Sequence, residues 1–460
     1  MVTTRRLATA TWLTLAVALG GCTLITDSFL TNEFSGDPFP INVDTASGAI
    51  LVGVRQGDLA DRTAVLDLLS PITIAEPEMD EPVAASYVDL TLLGEANGTL
   101  VPRARFVDAQ VISFHPCPAE CDASDPACNP AQCNVGTPTD PRPFEFIIGA
   151  DVLAGDAVRL RLGDDPQIFI LPDVAGSDRG RSLACDAVFR APYRGGGTLV
   201  IAGTELPFGN RRITLQACLG QDPAPAALPA SITPTTFNQH GADALFVVST
   251  SIGISILGQS AYQRYLVVHP LPVDAPAPVA MTVYLPSGPV TGTVAMIDRL
   301  ALVAAPTSNA LSPCRQLYAH RLLAAKELGI ADCQTTGTPP VSPYDCPCKD
   351  PSLLFCPVPA VLELAPAAEL RVLVVSDTDP TLQALRTELR PDQPEVDGLL
   401  GTEALRAAEI DVDYPHDRLI ARCRDATSCT ARPQLAQFDD RCQINRCITG
   451  IVDSPGCPTP

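Results

Sequence analysis

From Ala49 onward the chain alternates short apolar runs with polar turns. "AILVGV" reads as a strand, "RQGDLADR" as a turn and "TAVLDL" as a second strand. "YVDLTLL", "GEANGT" and "LVPRARF" predict a hairpin, its tip marked by Asn97-Gly98. Two longer passages share one pattern. "FIIGADVLAGDAVRLRLGDDPQIFI" starts at Phe146 and "GLLGTEALRAAEIDVDYPHDRLIA" at Gly398. Each gives two aliphatic residues, a glycine (Gly149 or Gly401), a short helix carrying Leu153 or Leu405, and two strands around a turn. A second pair precedes them: "AVLDLLSPITI" (Ala64 to Ile74) and "FVVSTSIGISI" (Phe246 to Ile256) align without a gap, Asp67 meeting Ser249. The order is the same in both halves, so one β-rich lobe is written twice. The second copy is longer because it contains a cysteine cluster. The expected class is all-β, with two duplicated lobes, disulfide-stapled loops and a few short helices. The 45 prolines, about twice the usual share, disfavour long helices.

The amino terminus follows a different rule. Arg5 and Arg6 precede the apolar "LATATWLTLAVALGG", a charged segment, an apolar segment and small residues before a cleavage point. "LGGC", Leu19 to Cys22, resembles the lipobox of bacterial lipoproteins. That resemblance implies cleavage before Cys22 and acylation there, and Thr23 after the cysteine implies the outer membrane. More than one acyl chain gives stable anchoring. No other run approaches the ~20 apolar residues of a membrane helix.

Cysteine content fits an exported chain. Setting Cys22 aside, the 17 cysteines become an even 16. They fall at Cys117 to Cys133, Cys314 to Cys356 and Cys423 to Cys457, with Cys185 and Cys218 apart, and are expected in disulfides. Cys346-Pro347-Cys348 has the wrong spacing for a zinc knuckle, and none of the five histidines adjoins a cysteine pair, so no metal or cofactor is expected. A net charge of −21 argues against nucleic-acid binding and suits solubility at an anionic cell surface. Nucleophile-elbow, zincin and phosphate-loop motifs are absent.

The expected organisation is a signal peptide (1–21), a tether (22–47), an N-terminal lobe (48–219), a proline-rich linker (220–240), a C-terminal lobe (241–423) and a cysteine-rich tail (424–460).

On these stretches the chain resembles the pepsin- and retropepsin-like aspartic proteases over roughly residues 48 to 423. Each lobe of that family carries two apolar residues, Asp-Thr-Gly and Ser or Thr, and later an aliphatic-aliphatic-Gly strand threading beside that loop. Two carboxylates then share one proton; one activates water and the other polarises the peptide carbonyl. Here Asp67 and Ser70 fit the first loop, but Leu68 and Leu69 replace Thr and Gly. Thr250 fits the second loop, but Ser249 stands in the acid's place and Ser251 in the glycine's. The resemblance therefore implies a lobed cleft without its acid dyad. Asp44 in "VDTASG" is the rival first acid; only the tether precedes it, where the family has a hairpin. Three functions follow: a non-catalytic lipoprotein holding a peptide or envelope component in its cleft; a divergent aspartic peptidase using Asp67 and an unrecognised second acid, for which Asp243 is the nearest candidate though on the wrong side of its strand; or a purely structural, disulfide-rich envelope protein.

Overall fold

The computed structural model describes residues 33–34, 38–75, 85–96, 99–113, 146–171, 186–190, 196–201, 204–209, 211–220, 241–272, 277–285, 288–304, 312–314, 317, 360–364, 370–388, 395–424 and 427–432. The leader with Cys22, the Asn97-Gly98 tip, most of the linker and most cysteines lie outside them. No described helix is long and apolar enough to cross a membrane.

The all-β, two-lobed architecture expected from the sequence is the one observed. An eight-stranded sheet forms the first lobe and a ten-stranded sheet the second. The apolar runs become strands because their β-branched and aliphatic residues suit a half-buried pleated surface. Arg62–Leu66 pairs antiparallel with Ile50–Gln56 and parallel with Phe146–Ile148; Thr73–Ala75 then pairs antiparallel with Phe146–Ile148. The second lobe repeats this. Ala242–Val248 pairs antiparallel with Thr214–Leu219 and parallel with Gly398–Leu400, and Ser255–Gly258 returns antiparallel to Gly398–Leu400. Register repeats too: Val65 and Ile74 flank Ile147 as Val247 and Ile256 flank Leu399.

A third sheet joins the lobes. The hairpin of Ala157–Arg161 and Gln167–Leu171 meets that of Ala408–Asp413 and Arg418–Cys423, with Ala157 opposite Asp413 and Arg161 opposite Glu409. Phe39–Pro40 and Ala187–Arg190 complete its six strands. Large buried side chains from both lobes, among them Phe106, Phe146, Phe246, Leu215, Leu66 and Leu400, share one core.

Three expected boundaries move. Thr214–Leu219, assigned to the first lobe, pairs only within the second lobe's sheet, as the counterpart of Ile50–Gln56. The second lobe therefore begins before Thr214, upstream of the proline-rich segment. The tether gives way to structure well before residue 47. Glu33–Phe34 pairs with Arg105 and Ala104, Phe39 is buried, and Asn42–Val43 pairs with Leu51 and Ile50. At the other end Cys429–Arg432 adds to the second sheet beside Val361–Leu364. Polar stretches hid these short strands, because pairing with a long neighbour fixes what their own pattern does not. Among the described cysteines, Cys218 bonds Cys314 and Cys423 bonds Cys429.

Candidate functional site

Each lobe ends its central strand in a loop, and the two loops meet. Asp67 and Ser249 occupy equivalent backbone positions. The Asp67 N–H donates to the Ile148 carbonyl at 2.9 Å and the Ser249 N–H to the Leu400 carbonyl at 3.0 Å. Past the loops, Gly149 and Gly401 donate to the Thr73 and Ser255 hydroxyls at 3.0 and 3.1 Å. Both glycines are required by approach. A Cβ on Gly149 would lie 2.3 Å from the Ile72 carbonyl oxygen, and one on Gly401 2.3 Å from that of Gly253.

Thr250 crosses between the loops. Its hydroxyl donates to the Leu66 carbonyl at 2.6 Å and accepts from the Leu68 N–H at 3.0 Å. The reciprocal bond is not made, because Leu68 stands where a second threonine would. Leu68 packs instead into the shared core, and Leu69 into the second lobe's cluster with Val247, Ile252 and Ile254. Ser70 closes the first loop, its N–H on the Asp67 carbonyl at 3.1 Å and its hydroxyl on the Ile72 carbonyl at 2.7 Å.

Asp67 is 1 % exposed. Burial pushes its carboxyl up to about 6, against the pull of the Leu69 N–H, the Ser251 hydroxyl, the Arg212 charge and the Thr250 N–H. The Leu69 N–H lies 3.0 Å from its Oδ1. The Ser249 and Ser251 hydroxyls, both fully buried, are 3.0 Å apart. Among the described residues, Asp67 is thus met by donors and one cation, with no carboxylate among the influences on its titration.

The cation was not expected from the sequence. Arg212 takes the register position that Ala49 has in the first copy. Its Nε donates to the Leu69 carbonyl at 2.8 Å, and its guanidinium pairs with Glu388 at the end of the helix Pro380–Glu388. Burial draws it down to about 10, so it stays charged at neutral pH. Its only signal was "NRRITL", a basic pair abutting an apolar strand in a chain with 31 lysines and arginines. Nothing local marks which of the pair turns inward.

The two rival acids have partners of their own. Asp44 accepts from the Ser47 hydroxyl at 2.6 Å and caps its own turn; those bonds hold its carboxyl below the usual range. That turn docks on the second loop: the Gly253 N–H meets the Ser47 carbonyl, and the Thr402 hydroxyl meets the Gly48 carbonyl at 2.7 Å. Asp243 sits opposite Cys218 and accepts from the Cys314 N–H at 2.9 Å. Six residues of strand put it about 20 Å from Ser249, which removes it as the second acid.

No protein-family model matches the chain, and no curated protein sequence does. Among solved structures, the chain is similar to basic 7S globulin from soybean at 13% identity, covering 85% of this chain and 98% of that one with a TM-score of 0.37. It is also similar to the aspartic proteinase from Irpex lacteus at 10% identity, covering 85% of this chain and 99% of that one with a TM-score of 0.32.

Proposed function

We propose that this chain is a lipid-anchored envelope protein on the aspartic-protease plan that has lost peptide hydrolysis and binds a peptide or envelope component between its lobes. The observation that carries this reading is the environment of Asp67. Proton sharing needs a second carboxylate within a few ångströms. Ser249 holds that backbone position and offers a hydroxyl far too weak an acid to protonate a peptide carbonyl. Leu68 and Leu69 replace the polar cradle by apolar packing. Among the described residues the carboxylate is enclosed by donors, with no second acid to divide the roles of base and acid. Anchoring rests on the lipobox-like "LGGC" and Cys22, with the outer membrane as destination.

The catalytic half is tested by incubating the mature protein with denatured substrate across acidic pH, with and without a transition-state-mimic inhibitor of aspartic proteases. The expected result is no inhibitor-sensitive cleavage. Cleavage that the inhibitor blocks and Asp67→Asn abolishes would overturn the reading. Anchoring is checked by metabolic labelling with a fatty acid, which Cys22→Ser should remove together with membrane association.

A further inference from the structure

The ten-stranded sheet ends on Val279–Leu285, which among the described residues pairs only with Gly288–Ile297. The outer strands of the other two large sheets, and Cys429–Arg432 at the far end of this one, have four residues or fewer. Short edges leave little backbone for another chain to pair with. Val279–Leu285 has seven residues, and its register runs unbroken from Val279 opposite Val294 to Leu285 opposite Gly288. Within it there is no charge, no proline and no bulge to blunt the edge. From Ala275 to Ile297 the chain carries no charged residue, the longest such run in a sequence with a net charge of −21.

An uncharged run of that length is ordinarily buried, but here much of it faces solvent. Val279 is 65% exposed, Tyr284 49% and Met281 37%, and Met296 on the neighbouring strand is 38% exposed. Only the far end of the strand is seated. Leu285 is buried in one cluster with Val247, Ile256 and Val290, and Val283 packs against it.

We propose that Val279–Leu285 pairs antiparallel with the same strand of a second copy of this chain, across a two-fold axis at Thr282. The strand is complementary to itself in that register. Thr282 meets Thr282 of the second copy, Met281 meets Val283, Ala280 meets Tyr284 and Val279 meets Leu285. Each pair joins apolar or hydroxyl side chains, and none opposes like charges. The Thr282 hydroxyl already lies 2.8 Å from that of Thr291, and across the axis this row becomes four threonines. The exposed half of each strand meets the seated half of the other. Freedom from charge decides where two copies can touch, since molecules each at −21 otherwise repel. A strand of seven residues spans about 23 Å, so the interface is small and the dimer reversible.

The test is sedimentation velocity of the mature protein in mild detergent over a range of concentrations, together with single cysteines placed on the strand. Dimers should form reversibly by about 100 µM. Thr282→Lys sets two ammonium groups face to face at the axis and should weaken association at least about tenfold. Its thermal unfolding should not change, because Thr282 is exposed. Thr282→Cys should give a disulfide-linked dimer under mild oxidation, whereas Ala280→Cys, opposite Tyr284 of the second copy, should not. A protein monomeric throughout, a dimer indifferent to Thr282→Lys, or equal cross-linking at both positions would overturn the proposal. So would a monomer that captures an uncharged extended peptide on this edge, because the strand would then have a different partner.

Discussion

Asp67 is the residue through which the site's chemistry is read in solution. Its carboxyl titrates near 3.8 in an unfolded chain and about 6 in the fold. A raised carboxyl pKa means that the folded state holds the proton more tightly. Its contribution to stability is therefore full below pH 3.8 and is lost as pH rises through about 6. The difference corresponds to roughly 3 kcal/mol. Asp67→Asn should accordingly stabilise the protein near pH 7.5 and be neutral near pH 3.5, with urea denaturation at the two values as the measurement. An equal effect at both would show that Asp67 is not desolvated in solution. Thr250 gives the complementary case. Thr250→Val keeps the shape but leaves the buried Leu66 carbonyl and Leu68 N–H without their partner, at roughly 2 to 4 kcal/mol. A loss within a few tenths would mean that the loops do not rely on that bridge.

At the scale of elements, the duplication was legible because it is written locally. Two aliphatic residues and a glycine recur before a short helix, and their spacing to Asp67 and Ser249 carries the correspondence. The reason for the glycines was not legible. Gly149 and Gly401 are held by the carbonyls of Ile72 and Gly253, residues distant in sequence that the antiparallel pairing of Thr73–Ala75 and of Ser255–Gly258 brings beneath them. Either glycine changed to alanine should cost several kcal/mol, beyond ordinary overpacking, because backbone rather than a flexible side chain must yield. Thermal unfolding of each variant checks this, and a tolerated substitution would argue that the loops stand further apart. The misplaced boundaries have a related cause. Glu33–Phe34, Phe39–Pro40 and Cys429–Arg432 are too short to show a period of their own. Each is ordered by a longer strand or sheet edge, and such pairing leaves no trace in the segment itself. Arg212 was hidden in the same way, since its inward turn depends on Leu69 and Glu388 from separate parts of the chain.

For the molecule as a whole, the six-stranded sheet decides whether the lobes behave as one unit. Arg159 and Arg161 alternate with apolar residues on the first lobe's strand, and Glu409 and Asp411 do so on the second's. Antiparallel pairing sets the two rows against each other. Arg159 grips Asp411 through bonds of 2.5 and 2.7 Å, Arg161 pairs with Glu409, and Arg422 ties Glu409 to Asp186. Arg161 also lies over the Phe169 ring, 4.9 Å from its centre. Arg159, Asp186, Glu409 and Asp411 are buried, and burial lifts the Asp411 carboxyl above its ordinary range even with Arg159 bound to it. Desolvation on that scale means that the pair adds little net stability, while either member alone would be a liability. The single variants Arg159→Met and Asp411→Leu should each cost about 3 to 5 kcal/mol, and the double variant much less than their sum. The cycle also separates two roles for the layer. If the ions fix the register of one lobe on the other, the double variant should fold but unfold in two steps, seen as a gap between tryptophan-independent probes such as circular dichroism and hydrogen exchange of the Ala157–Arg161 strand. If apolar packing around Phe169 and Ile420 already fixes that register, the double variant should keep one cooperative transition. The second outcome is the expected one, because Val158, Leu160, Ile410 and Val412 on the opposite face bind both strands into the shared core whatever the charges do.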